Sequence, residues 1–288
     1  MKVLITGAAG QLGGALLRSA PAAVDTVAVD RQALDICDAS AVAKCLAAVR
    51  PGLVLNAAAY TAVDKAESER EQAFAVNAHA VGILARACRD RDVRLIHVST
   101  DFVFDGAQGR PYQPDEPPNP LNVYGASKLA GEQEIAATAG LRWLVVRSAW
   151  IYSAVGRNFL LTMLRLFRER TTVSVVCDQI GTPTSAMSLA HCLWRAVEDT
   201  GSSGILHFTD SGVASWYDFA TAIYEEARAA GMLGNVVEVV PIATAQYPTP
   251  ARRPAYSVLD KRATVERLRI APPHWRSALR SVLQEMPS

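Results

Sequence analysis

Apolar positions in the first 150 residues form short runs, separated by stretches with helical spacing. Residues 3–6 read as a buried strand, after which Leu12, Leu16 and Leu17 recur on one helical face. Residues 24–30 read as the next strand, and Val42, Leu46 and Val49 mark a helix that Pro51 ends. A strand follows at 53–56. Phe74, Val81, Leu84 and Cys88 then line a further helix, and 94–98 is again a strand. Beyond a Pro- and Gly-bearing loop from Gly106 to Pro120, a helix over 124–139 leads to a strand at 144–147. Such short strands, alternating with longer helices, predict βαβ units and a parallel sheet covered on both faces. Right-handed crossovers make this a Rossmann-type, doubly wound α/β fold.

After Trp150 the rhythm loosens. Helices are expected at 158–169, 185–199, 216–230 and 275–286, with strands near 173–176, 205–209 and 236–240. The loop at 247–254 carries three prolines and two arginines. The expected division is a dinucleotide-binding domain over 1–150 and a smaller α/β lobe over 151–288 that partly returns to the first domain. Substrate would bind in the cleft between them.

Composition narrows the function classes. The chain has 288 residues, half of them hydrophobic, with 29 basic against 28 acidic side chains. Near-neutral charge without a basic stripe argues against a nucleic-acid partner. No apolar run has the roughly 18–20 residues needed to span a bilayer, and Met1-Lys2 leads straight into the first strand without a signal-peptide core. Five scattered cysteines (Cys37, Cys45, Cys88, Cys177 and Cys192) fit a reducing compartment, so a cytoplasmic protein is expected.

Three local patterns carry chemistry. Gly7-Ala8-Ala9-Gly10-Gln11-Leu12-Gly13 follows a strand and opens a helix, where a tight turn and free backbone N–H groups would receive a pyrophosphate. Asp30 ends the second strand, where a ribose-binding acid is expected, although a turn residue there would look the same. Arg31 follows, and could hold a 2′-phosphate that Asp30 would repel. NADPH, with NADH as a second donor, is the cofactor expected.

Tyr124 and Lys128 are four residues apart on a helix and share a face. A lysine ammonium about 4 Å from the phenol, at an effective dielectric near 20, is worth roughly 4 kcal/mol. The expectation is a tyrosine pKa lowered by up to about three units, toward neutrality. Ser99-Thr100-Asp101 ends the strand at 94–98, on the side where ligands sit in open α/β sheets.

Together these residues resemble the extended short-chain dehydrogenase/reductase superfamily, in which a Thr or Ser, a Tyr and a Lys act on a carbonyl beside a nicotinamide. Longer stretches are similar to the dTDP-4-dehydrorhamnose reductase family: Asn56-Ala57-Ala58-Ala59-Tyr60-Thr61, Ser99-Thr100-Asp101-Phe102-Val103-Phe104, Tyr124-Gly125-Ala126-Ser127-Lys128, Arg147-Ser148-Ala149-Trp150 and Ala251-Arg252-Arg253-Pro254. The resemblance implies reduction of the C4 ketone of dTDP-4-dehydro-L-rhamnose, with Thr100, Tyr124 and Lys128 catalytic. It implies that Gly10, Gln11 and Leu12, in the loop shaped by Gly7 and Gly13, cradle the pyrophosphate. Asp30 and Arg31 would meet the adenosine ribose, Asp35 and Ile36 the adenine, and Ala59, Tyr60 and Thr61 the nicotinamide side. Thr100, Asp101, Phe104 and Tyr124 would contact the sugar, Trp150 would cover it, and Asn158 and Arg252 would reach further along the nucleotide.

Two other readings remain at this level: a different nucleotide-sugar reductase or epimerase, or a non-catalytic regulatory subunit of methionine adenosyltransferase. Some relatives are thought to dimerise through a metal held by glutamates. The helix starts at Gly13-Gly14-Ala15-Leu16 and Ala186-Met187-Ser188 lack such acids, so no metal is expected, and a monomer and a homodimer both remain open. His79, His97, His191, His207 and His274 do not cluster in sequence and read as structural.

Overall fold

The chain opens as β1 (Lys2–Thr6), α1 (Gln11–Arg18), β2 (Asp25–Val29), α2 (Ala39–Val49) and β3 (Leu53–Asn56). Two short helices, α3 (Val63–Ala66) and α4 (Arg70–Phe74), run through a π turn at Ala75–His79 into α5 (Ala80–Arg89). Next come β4 (Arg94–Thr100), a 3-10 turn at Asp101–Val103, α6 (Val123–Ala136) and β5 (Trp143–Ser148). The computed structural model describes residues 1–199, 201 and 203–286.

The remainder contains β6 (Ile151–Tyr152), α7 (Phe159–Glu169), β7 (Thr172–Val176), β8 (Ile180–Gly181), β9 (Thr184–Ser185), α8 (Ala186–Glu198) and β10 (Gly204–His207). It ends with β11 (Ala214–Ser215), α9 (Trp216–Ala229), β12 (Glu238–Ile242), α10 (Arg262–Leu268) and α11 (Trp275–Gln284).

Six strands form one parallel sheet in the order β10-β5-β4-β3-β1-β2. Alternation along β1 shows how both faces are covered. Val3 and Ile5 join the core under α1 and α8, while Leu4 joins the core under α2, α5 and α6. The chain's first strand has β2 on one side and β3 on the other, so the connections diverge beyond its carboxyl end and leave a crevice there. The sixth strand and α8 come from beyond residue 150; α8 packs on α1 through Leu189, Leu193 and Trp194. A second core gathers Leu160, Leu164 and Phe167 of α7, Phe219 and Ile223 of α9, and Trp275 and Leu279 of α11. Burying each such side chain stabilises by about 1.5–3 kcal/mol. Among the described residues, no helix is long and apolar enough to cross a membrane.

Candidate active site

The glycine loop is shaped by what cannot fit around it. Gly7 has φ +74°, and a Cβ there would lie 2.6 Å from the Ala58 nitrogen. A Cβ on Gly13 would lie 2.3 Å from the Gly7 carbonyl oxygen, so Gly13 lets α1 close onto the loop from behind. Gly10 is the N-cap of α1 and offers no side chain, which leaves first-turn N–H groups facing the cleft. Gln11 is fixed by the segment after β6: its Oε1 accepts from Ser153 Oγ (3.0 Å) and Asn158 Nδ2 (2.7 Å). The Asp30 carboxylate accepts from the N–H groups of Gln32 (2.9 Å) and Ala33 (3.0 Å), so it makes the turn and also borders the cleft.

That cleft, of about 830 Å³, brings together Gly7, Gly10, Gln11, Leu12, Asp30, Arg31, Asp35 and Ile36 at one end. Ala59, Tyr60, Thr61, Thr100, Asp101, Tyr124, Lys128 and Trp150 line the rest. The segment carrying Tyr60 is tied to α6 through Asn77 of the π turn. Tyr60 N–H donates to Asn77 Oδ1 (2.8 Å), and Asn77 Nδ2 donates to Ser127 Oγ (3.0 Å). A π turn places this one side chain inward, between loop and helix.

Tyr124 and Lys128 stand on α6, which Asn122 caps by accepting from Gly125 N–H (2.7 Å). Thr100 ends β4, accepts from Phe102 N–H (3.2 Å) and donates to the Asp101 carboxylate (3.1 Å). The lowered tyrosine pKa expected from the Tyr-x-x-x-Lys spacing is not found. Burial pushes Tyr124 up to about 12, the Thr100 hydroxyl draws it down, and the Asp101 charge adds to the rise. Lys128 Nζ turns instead to His97 Nε2 (3.0 Å) and the Val98 carbonyl (2.7 Å). A shared helical face sets the spacing of two side chains but not the direction of a long, flexible one. Burial also lowers Lys128 to about 8, with Glu132 opposing, and raises Asp101 to about 6.

Phe104, expected at the sugar, and Asn158 and Arg252, expected further along the nucleotide, lie outside the cleft lining. Phe104 is 1% exposed and stacks on Tyr112 with ring centroids 4.2 Å apart; it is core, and Phe102 lines the cleft instead. Asn158 caps α7 by accepting from Leu161 N–H (2.9 Å) and acts through its bond to Gln11. Arg252 is exposed and outside the cleft lining. Its neighbour Arg253 turns inward because Asp64 (2.8 Å) and Thr249 (2.6 Å) hold its guanidinium.

Sequence reasoning also missed Trp216, whose ring lies parallel to Trp150 with centroids 3.5 Å apart. Only the tertiary fold could show this, since α9 starts far along the chain. Trp150 itself holds φ +48°, uncommon for a bulky residue, and lies where a Cβ on Gly181 would clash at 2.7 Å.

The lining fits a dinucleotide. Gly10 leaves the first turn of α1 without a side-chain cap, and two buried polar atoms in the cleft wall lack a protein partner: Ser99 Oγ and Ser148 Oγ. Such atoms are costly to bury unless a ligand or water completes them. Among the described residues, no three His, Cys, Asp or Glu side chains gather as metal ligands would.

The family described as RmlD substrate binding domain matches residues 1–288. A dTDP-4-dehydrorhamnose reductase of Burkholderia thailandensis is 45% identical over 97% of both chains. The crystal structure of a Clostridium acetobutylicum dTDP-4-dehydrorhamnose reductase superposes with a TM-score of 0.91 at 37% identity, covering 99% of each chain. The Bacillus anthracis enzyme of that name, in complex with NADP, gives 0.92 at 35%, also over 99% of each.

Proposed function

Because the chain belongs to the RmlD substrate binding domain family, we propose that Thr100, Tyr124 and Lys128 carry its NAD(P)H-dependent reduction of the C4 ketone of dTDP-4-dehydro-L-rhamnose to dTDP-L-rhamnose. The single observation behind this assignment is the joining, in one cleft, of the glycine loop with the Thr100–Asp101 strand end and the Tyr124–Lys128 helix. The reduced nicotinamide, when bound, supplies the hydride that goes to C4.

Tyr124 gives the proton. With its pKa pushed up to about 12 it is fully protonated at neutral pH, the state a general acid needs before turnover. The Thr100 hydroxyl, fixed at the end of β4, orients the same ketone oxygen. Lys128 lies one turn along α6; in its ammonium form it would hold the nicotinamide ribose and offset the phenolate left when Tyr124 has donated. Gly10, Gln11 and Leu12 would receive the pyrophosphate at the start of α1. Asp30 would bond the adenosine ribose and Arg31 a 2′-phosphate, which favours NADPH and leaves NADH usable. Asp35 and Ile36 would border the adenine, and Ala59, Tyr60 and Thr61 the nicotinamide.

On the substrate side, Asp101 would bond the sugar, Trp150 backed by Trp216 would cover it, and Arg253 would face the diphosphate end. The core built on α7, α9 and α11 gives that side its wall, as a substrate lobe to the nucleotide-binding sheet. The proposed setting is the cytoplasm, as a monomer or homodimer.

The test is consumption of NADPH, and separately NADH, with dTDP-4-dehydrorhamnose made in situ. Tyr124→Phe is expected to keep cofactor affinity and lose at least about two orders of magnitude in turnover, the usual contribution of a general acid. Near-normal turnover by that variant would sink the assignment.

A further inference from the structure

His97 is completely buried in β4, and its two ring nitrogens are spoken for on opposite sides. Nδ1 lies 2.9 Å from Asn56 Nδ2, and Nε2 lies 3.0 Å from Lys128 Nζ. The direction of every hydrogen in this chain can be worked out from its far end. The backbone N–H of Ala58 donates to the Asn56 side chain (3.1 Å), and a backbone N–H can only donate, so the atom it reaches must be the amide oxygen. The Thr6 hydroxyl donates to the same oxygen at 2.6 Å. The NH2 of Asn56 therefore faces His97 and needs an acceptor, which makes Nδ1 the unprotonated nitrogen. In a neutral imidazole the proton then sits on Nε2, and it points at Lys128 Nζ. A nitrogen that accepts from Nε2–H must carry a lone pair, while its own hydrogen serves the Val98 carbonyl at 2.7 Å.

We propose that Asn56 and His97 are positioning residues that favour the uncharged amine of Lys128 in the free protein, bringing its titration toward neutral pH, so that its ammonium is fully favoured once the side chain leaves His97. The proposal rests on Lys128 working in the reductase site described above, and gives that residue a controlled charge.

The surroundings agree. Burial keeps His97 well below the ordinary histidine range, so the doubly protonated ring, which would set N–H against N–H at Asn56, is disfavoured. Across β5, His97 faces the uncharged Val145. Lys128 is faced by Glu132 on α6, which is paired with Arg147 of β5 at 2.7 Å, and Tyr124 and Asp101 lie toward the cleft.

The direct test needs no turnover. Long-range proton–nitrogen spectra of the free protein, labelled with 15N-histidine and assigned with His97→Gln, are expected to show His97 as the Nε2–H tautomer. An Nδ1–H tautomer or a doubly protonated ring would overturn the proposal, while leaving ketone reduction by the wild type untouched. A second measurement reverses the chain. In Asn56→Asp a carboxylate would accept from Nδ1–H, so Nε2 becomes an acceptor for the lysine ammonium. The alkaline limb of the pH–turnover profile should then rise by about one unit. A lower rate with an unmoved limb would mean that Asn56 is merely structural.

Discussion

Asp101 is the residue whose setting costs the fold most openly. It is 2% exposed, and burial holds its pKa up at about 6 against 3.8 for the free group, with hydrogen bonds from Ser257 and Thr100 opposing the rise. A carboxyl that binds its proton more tightly folded than unfolded favours the fold while protonated. That contribution is complete below pH 3.8 and is lost as pH rises through about 6. At 1.36 kcal/mol per unit the loss is on the order of 3 kcal/mol. Asp101→Asn should therefore flatten the stability profile between pH 4 and 6.5, which urea unfolding at the two ends of that range would detect. Asp210, also raised to about 6 by burial, will leave part of the slope in place. An unchanged slope in Asp101→Asn would mean that the carboxyl is hydrated.

At the scale of elements, α6 is placed by its glycines. A Cβ on Gly125 would come within 2.1 Å of the Phe102 carbonyl oxygen, and one on Gly131 within 2.1 Å of the Asn77 carbonyl oxygen. The helix thus lies directly against the 3-10 turn after β4 and against the π turn, and this puts Tyr124 beside Thr100. Gly125→Ala must push the helix from the turn. Displacement of a catalytic group by about 1 Å can cost on the order of 10²-fold in rate. We expect such a loss in turnover with cofactor affinity largely kept, measured by steady-state assay and by fluorescence titration with NADPH. Wild-type turnover would show that the turn can yield.

Patterning located this helix to within a few residues, 124–139 against Val123–Ala136, because its polar and apolar spacing is local. The stretch around Phe74 reads as one helix from its apolar positions but is α4, a π turn and α5. The extra residue in that turn is stabilised by Asn77's contacts with distant Tyr60 and Ser127. The strand expected at 236–240 lies two residues on, at Glu238–Ile242, where it can pair with β7; Val236 is left 76% exposed. α10 and the two-residue strands around the cleft carry too few residues for any period to show.

For the whole molecule, one buried ion pair joins the parts that flank the site. Arg147 of β5 makes bidentate contact with Glu132 of α6, Nε donating to Oε1 and Nη2 to Oε2, and its Nη1 reaches the Pro114 carbonyl and His207 of β10. Both partners are nearly inaccessible, at 2% and 4%. Breaking such a pair strands a charge, typically costing about 3–5 kcal/mol, whereas replacing both with apolar groups is often neutral. Glu132→Leu should lower unfolding stability by that amount, and Glu132→Leu with Arg147→Met should recover most of it in denaturant titration. No recovery in the double variant would show that the hydrogen bonds to Pro114 and His207 matter more than the charge.

The sequence by itself determined the fold class, the glycine loop with Asp30 behind it, and the order in which Thr100, Tyr124 and Lys128 arrive. These follow from local spacing: a period of two or of about four, a turn that only glycine allows, one helical face. Only the tertiary structure decided which way those side chains point and what borders them. It turned Lys128 to His97, kept Tyr124 protonated, buried Phe104, exchanged Arg252 for Arg253, and laid Trp216 on Trp150. Each outcome depends on contacts between residues far apart in the chain, and on desolvation, which has no period to be read along a sequence.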